Sequence, residues 1–148
     1  MVLATQLTSA QVDSWLKRLA VEAPLDKEGR FVFLGPVHTT RTGWVVRARC
    51  AEGKEVALRL LRPELAAEEA DRELFLAWAQ ACARVEHARL ARLLEAGSLL
   101  TADNFELLFA ESPWVGGATL KHMLQGRGQG LPAEQAFHVV GQVAAALA

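Results

Sequence analysis

Glu55-Val56-Ala57-Leu58-Arg59-Leu60-Leu61 is the stretch around which the rest of the chain is organised. Its alternation predicts a β-strand that sends Val56, Leu58 and Leu60 to one face and Ala57, Arg59 and Leu61 to the other. The first face is wholly apolar and calls for a core. The second sets a permanently charged guanidinium among small apolar neighbours, so Arg59 must reach solvent past a sheet edge or meet a carboxylate. Immediately upstream, Ala51-Glu52-Gly53-Lys54 holds the glycine that a hairpin loop prefers, which folds a strand over Trp44 to Cys50 back antiparallel on 55–61. Gly43 opens that strand after a threonine-rich segment. A first strand is predicted over Arg30 to Leu34, stopped by Gly35-Pro36.

Arg62-Pro63 closes the third strand, and Glu64 to Val85 then reads as one long helix. Its acidic first turns suit the positive end of a helix dipole. Leu74, Trp78, Ala81, Cys82 and Val85 form its apolar stripe. A fourth strand near Leu93 to Leu100 and a fifth over Phe105 to Ala110 are joined by the turn Thr101-Ala102-Asp103-Asn104. Ahead of the sheet, Thr8 or Ser9 caps a helix over Ala10 to Ala20 with Val12, Trp15, Leu16 and Leu19 along one face. That stripe either docks on its own domain or offers a partner surface anchored by Trp15 and Leu19. Behind the sheet, Pro113 and Gly116-Gly117 mark a connector, Thr119 caps a short helix through Gln125, and a last helix runs from Ala133 to Ala148. The last helix is apolar nearly all round, with Phe137, Val140, Val143 and Leu147 among the side chains that need cover. The expected fold class is α+β: a five-stranded antiparallel sheet with one long packed helix, one helix before it and two after.

Composition excludes several function classes. At 148 residues the chain is long enough to bury a core without disulfides or a metal. Cys50 and Cys82 are too few and too far apart for a disulfide framework or zinc site, and the four histidines show no ligand spacing, so no metal site is expected. A net charge of -1 with interspersed signs leaves no basic footprint for nucleic acid. No apolar run reaches the roughly 20 residues of a membrane span, and the N-terminus lacks an export signal. The expectation is a cytoplasmic protein, and twelve arginines against four lysines fit a GC-rich bacterial genome.

The order of parts resembles the N-terminal lobe of a protein kinase. Gly43-Trp44-Val45-Val46-Arg47-Ala48 is similar to the end of the kinase glycine-rich loop, and Val56-Ala57-Leu58-Arg59 is similar to the third-strand Val-Ala-Ile-Lys. His87-Ala88-Arg89-Leu90 resembles the His-Pro-Asn-Ile that follows the long helix. Leu107 to Glu111 with Gly116-Gly117-Ala118-Thr119-Leu120 resembles the fifth strand, hinge and next helix. The resemblance covers residues 30 to 148 and implies three parts: an N-terminal helix and connector (1–29), a kinase-like lobe (30–111), and a hinge with two helices (112–148) resembling the start of a kinase C-terminal lobe.

What the resemblance implies about activity is shaped by its departures. Gly35, Gly43, Val45, Ala57, Arg59, Ala110 and Glu111 would line a nucleotide cleft. Arg59 stands where an active kinase keeps the phosphate-binding lysine, and Glu73 is the carboxylate expected to pair with it, although counting back from His87 by the family's usual interval lands on Trp78. Gly35 and Gly43 lie too far apart for Gly-x-Gly-x-x-Gly, and Pro36 has no amide to offer a phosphate. The His-Arg-Asp and Asp-Phe-Gly motifs do not occur in the 148 residues. The expectation is therefore a truncated pseudokinase or kinase-like remnant, not an enzyme and without a resident cofactor. It would serve as an interaction module that regulates or assembles partner proteins, or itself as a homodimer. A nucleotide-binding regulatory lobe, or a fragment of a longer kinase, is the alternative.

Overall fold

A computed structural model describes residues 6–148. Three strands come first, β1 (Phe31–Thr39), β2 (Gly43–Cys50) and β3 (Glu55–Leu61), followed after two helices by β4 (Glu95–Leu100) and β5 (Glu106–Pro113). They form one antiparallel sheet in the order β1-β2-β3-β5-β4. The β2–β3 register pairs Val45 with Arg59 and Val46 with Leu58, so the alternation in 55–61 is realised as two chemically distinct faces.

The outer face carries the larger core. Val56, Leu58 and Leu60 are fully buried there with Trp44, Val46, Leu107 and Phe109. The helix α1 (Ser9–Arg18) covers this face. Thr8 caps it: the Gln11 amide donates to Thr8 Oγ1 at 3.4 Å and the Thr8 amide donates to Gln11 Oε1 at 2.8 Å. A reciprocal box of this kind is worth about 1 kcal/mol. Two polar ties fix where α1 sits: Trp44 Nε1 donates to Asp13 Oδ1 at 2.6 Å, and the Ser9 amide donates to Glu64 Oε1 at 2.7 Å. Trp15 is only 3% exposed and stands edge-on to Phe105. The expectation that Trp15 anchors a partner surface is therefore corrected. Trp15 is core, Leu19 is half-buried against the same cluster, and burying Val12, Trp15 and Leu16 is worth on the order of 5 to 9 kcal/mol before ordering costs.

Two local boundaries depart from the pattern. β1 does not stop at Gly35-Pro36. It continues to Thr39 through a register shift between Phe33 and Val37, with Gly35 at φ +61° taking up the irregularity. The long helix is two helices, α2 (Pro63–Ala67) and α3 (Glu69–Ala83), separated by extended Glu68. Arg72 holds the break, its amide donating to Glu68 O and its guanidinium to Ala66 O at 3.2 Å. The break resets the phase of α3, so Ala79 is buried with Phe75, Cys82 and Ala83 around it, facing Ala110, Ala96 and Leu93. Of the expected stripe Leu74, Trp78, Ala81, Cys82 and Val85, Cys82 packs on this cluster, Val85 lies past the end of α3, and Leu74 and Trp78 are left 69% and 41% exposed because the buried side is turned by one residue, about 100°.

The chain divides into two compact units, residues 6–85 with 92–114, and residues 86–91 with 115–148. The second unit contains α4 (Leu120–Gln125), capped by Thr119 Oγ1 accepting from the His122 amide, and α5 (Ala133–Leu147). Phe137, Val140, Val143 and Leu147 stand exposed along one side of α5.

Candidate functional site

The inner face of the sheet holds a single row that crosses all five strands: His38, Val45, Arg59, Ala110 and Ala96 are successive register partners. Ala57 lies on the same face two residues away. Of the predicted cleft residues, Val45, Ala57, Arg59 and Ala110 are thus brought together. The other three are placed elsewhere or serve a different purpose.

Glu111 pairs in register with Leu58, not with Arg59, so its side chain belongs to the outer face. Its expected place in the cleft is corrected by the pleat, since neighbours in a strand point to opposite sides. Gly35 sits in the β1 irregularity, away from the turn at 40–42 that joins β1 to β2. Gly43 is at that turn, but its lack of a side chain answers to the sheet: a Cβ there would stand 1.7 Å from the Leu60 carbonyl oxygen. The turn's polar groups are also engaged. The Thr40 amide donates to Gly43 O at 2.7 Å, the Gly43 amide donates to Thr40 Oγ1 at 3.1 Å, and Arg62 donates from its side chain to the carbonyls of Thr40 and Arg41. Two of the loop's amides are therefore already committed to the protein itself.

Arg59 meets an aromatic ring. Its guanidinium carbon lies 5.8 Å from the centroid of the Trp78 ring, within cation–π range. Glu73 is exposed, and no ion pair joins it to Arg59 among the described residues. The Arg59–Glu73 pairing is corrected accordingly. A planar, weakly hydrated guanidinium can lie on an indole face, which a compact ammonium does less well, so Arg59 and Trp78 suit each other as residue types.

Around this contact lies a groove of about 470 Å³ between β3 and the two helices, lined by Thr42, Arg59, Leu60, Leu61, Leu65, Asp71, Leu74, Phe75 and Trp78. Its walls are overwhelmingly apolar, with Asp71 the carboxylate and Arg59 the cation among the lining residues. Sequence reasoning missed Leu65, Asp71 and Phe75 because it treated α2 and α3 as one helix. The available signal was Leu65, which on one continuous helix falls on the side opposite Leu74, Phe75 and Trp78. Among the described residues no group of three potential ligands could hold a metal ion, and no helix is long and apolar enough to cross a membrane.

Comparison with known proteins places this architecture. No protein-family profile matches the chain, and no curated protein matches it. Solved structures do: the Mycobacterium tuberculosis PknI kinase domain is 22% identical with a TM-score of 0.67, over 87% of this chain and 49% of that one. Its C20A mutant matches at 21% identity and a TM-score of 0.68, and its C20A_R136N double mutant at 21% and 0.69. At this level of identity the likeness concerns the fold. The fold is that of a protein-kinase N-terminal lobe with a helical segment after it, and the chain spans about half the length of the kinase domains it matches.

Proposed function

We propose that the chain is a non-catalytic, pseudokinase-like interaction module of the cytoplasm that regulates or assembles proteins by binding a partner or a second copy of itself. One observation carries the proposal: the face that a kinase would turn to nucleotide carries Arg59 laid on Trp78 beside an apolar groove. Such a surface favours aliphatic and aromatic side chains over a triphosphate. The exposed row Phe137, Val140, Val143 and Leu147 on α5 supports the same reading, since each such side chain is worth on the order of 1.5 to 3 kcal/mol when taken out of water. Light scattering on a size-exclusion column, run over a wide concentration range on the wild type and Val143→Lys, tests the self-association part. The expected result is a wild-type dimer that Val143→Lys dissociates. A clean monomer at high concentration refutes homodimerisation.

A second reading is favoured by the shared face of Val45, Ala57 and Ala110 and by the chain spanning half of a kinase domain: a nucleotide-binding lobe that works with a catalytic half. Melting with and without ATP and Mg²⁺ separates the two. A nucleotide at 100 times its Kd adds about 2.7 kcal/mol, whereas the interaction-module reading expects no shift.

A further inference from the structure

On the outer face, away from Arg59, a second cavity of about 500 Å³ opens at the end of the sheet where the β2–β3 hairpin approaches the start of β4 and the end of β5. Phe31, Val56 and Pro113 give it apolar walls, Glu52, Glu55, Glu95 and Glu111 give it carboxylates, and Arg30 and Lys54 give it cations. Nearly every charge around it is already paired. Arg30 donates to both Glu95 oxygens at 3.1 and 3.2 Å while its guanidinium lies over the Phe31 and Phe109 rings. Lys54 pairs with Glu52 at 3.3 Å.

Glu111 is the exception. It is only 8% exposed, it lines the cavity, and among the described residues its carboxyl makes no hydrogen bond or ion pair. It stands directly opposite Glu95 in the β4–β5 register, a like-charge placement that weakens a ladder. Burial, then the charge of Glu95, push the Glu111 carboxyl above the ordinary carboxylate range, and the attraction of Arg30 only partly opposes them. A carboxyl that opens into the cavity beside an apolar wall, with no close partner of its own, is what a cation with an apolar stem would complete.

The geometry points to a binding site for a primary alkylammonium group at Glu111, its methylenes against Phe31, Val56 and Pro113 and its charge on the Glu111 carboxylate. An ammonium suits one free carboxylate, whereas a guanidinium brings five donors and would leave several unmet. The group could be carried by a small free amine or by a lysine side chain of a partner. This inference does not depend on the reading of the Arg59 face, because Glu111 and Arg59 project from opposite sides of the sheet.

The test uses the whole chain with n-pentylamine and, separately, N-acetyl-lysine amide, followed by thermal melting and by carbon-13 NMR titration of the glutamate carboxyls. Both probes raise Tm at neutral pH, and n-pentylamine moves the Glu111 carboxyl titration to lower pH. Glu111→Gln, which keeps the shape and removes the charge, loses both responses while melting no lower than the wild type. A tenfold preference for the lysine derivative assigns the site to a protein partner, and the reverse preference to a free amine. An equal Tm rise in wild type and Glu111→Gln, or a Glu111 titration unmoved by either amine, overturns the proposal.

Discussion

Replacing Gly43 by alanine tests whether this glycine serves the sheet or a phosphate. The new Cβ would stand 1.7 Å from Leu60 O, 2.9 Å from Leu60 C and 3.3 Å from the Arg62 amide nitrogen, all backbone atoms that no rotamer change can move. Restoring an ordinary contact of about 3.5 Å means parting β2 from β3 by roughly 1.5 to 2 Å. At risk are the Thr40 amide to Gly43 O bond, the Gly43 amide to Thr40 Oγ1 bond and the Arg62 amide to Thr42 O bond. At about 1 kcal/mol each, with about 1 to 2 kcal/mol more from loosening fully buried Trp44, the loss comes to about 4 to 5 kcal/mol. That is a large fraction of the stability of an ordinary domain, about 5 to 15 kcal/mol. Urea unfolding followed by tryptophan fluorescence reads it directly. Gly35→Ala is the comparison: its Cβ meets only the Phe33 ring at 3.6 Å, so the cost is the left-handed backbone alone, about 1 to 2 kcal/mol. A Gly43→Ala protein within 1 kcal/mol of the wild type, or one more stable than Gly35→Ala, refutes the steric account.

Three further outcomes follow from the same geometry. Trp15→Ala should destabilise the fold by about 3 to 5 kcal/mol in urea, as a large core deletion does, whereas a docking tryptophan would leave stability unchanged. Hydrogen bonds from the Ser9 side chain and amide hold the Glu64 carboxyl below its ordinary range, so their contribution is present above the usual carboxylate pKa and lost as pH falls through the lowered one. Ser9→Ala, which removes the hydroxyl donor, should therefore cost at most about 1 kcal/mol at neutral pH after solvent screening, with the difference fading on acidification in pH-dependent melts. Burial raises the Glu111 carboxyl, so the sign reverses there: stability is fullest below the ordinary carboxylate pKa and declines as pH rises through the raised one. Glu111→Gln should match wild type in acid and exceed it at neutral pH.

How much was legible in the chain can be judged residue by residue. The alternation in 55–61, the glycine of the β2–β3 turn and the Thr8 and Thr119 caps are local signals, set by pleat geometry and by the unmet amides of a helix start. Strands β2 to β5, α1, α4 and α5 emerged within a few residues of where they lie, whereas β1 runs on past Gly35-Pro36 to Thr39. The phase of α3 did not, because one extended residue at Glu68 rotates everything after it, and no periodicity within the helix records that rotation. The groove was hidden with it.

The sequence by itself determined the α+β class, the two chemical faces of β3 and the kinase-like order of elements, since these depend on spacing between neighbours along the chain. Only the tertiary structure decided who meets whom across it: that Arg59 lies on Trp78 and not on Glu73, that Trp15 is core, that Gly43 makes room for Leu60, and that Glu111 faces away from the cleft. Those partners are far apart in sequence and are fixed by strand register and helix phase, in which a shift of one residue exchanges faces.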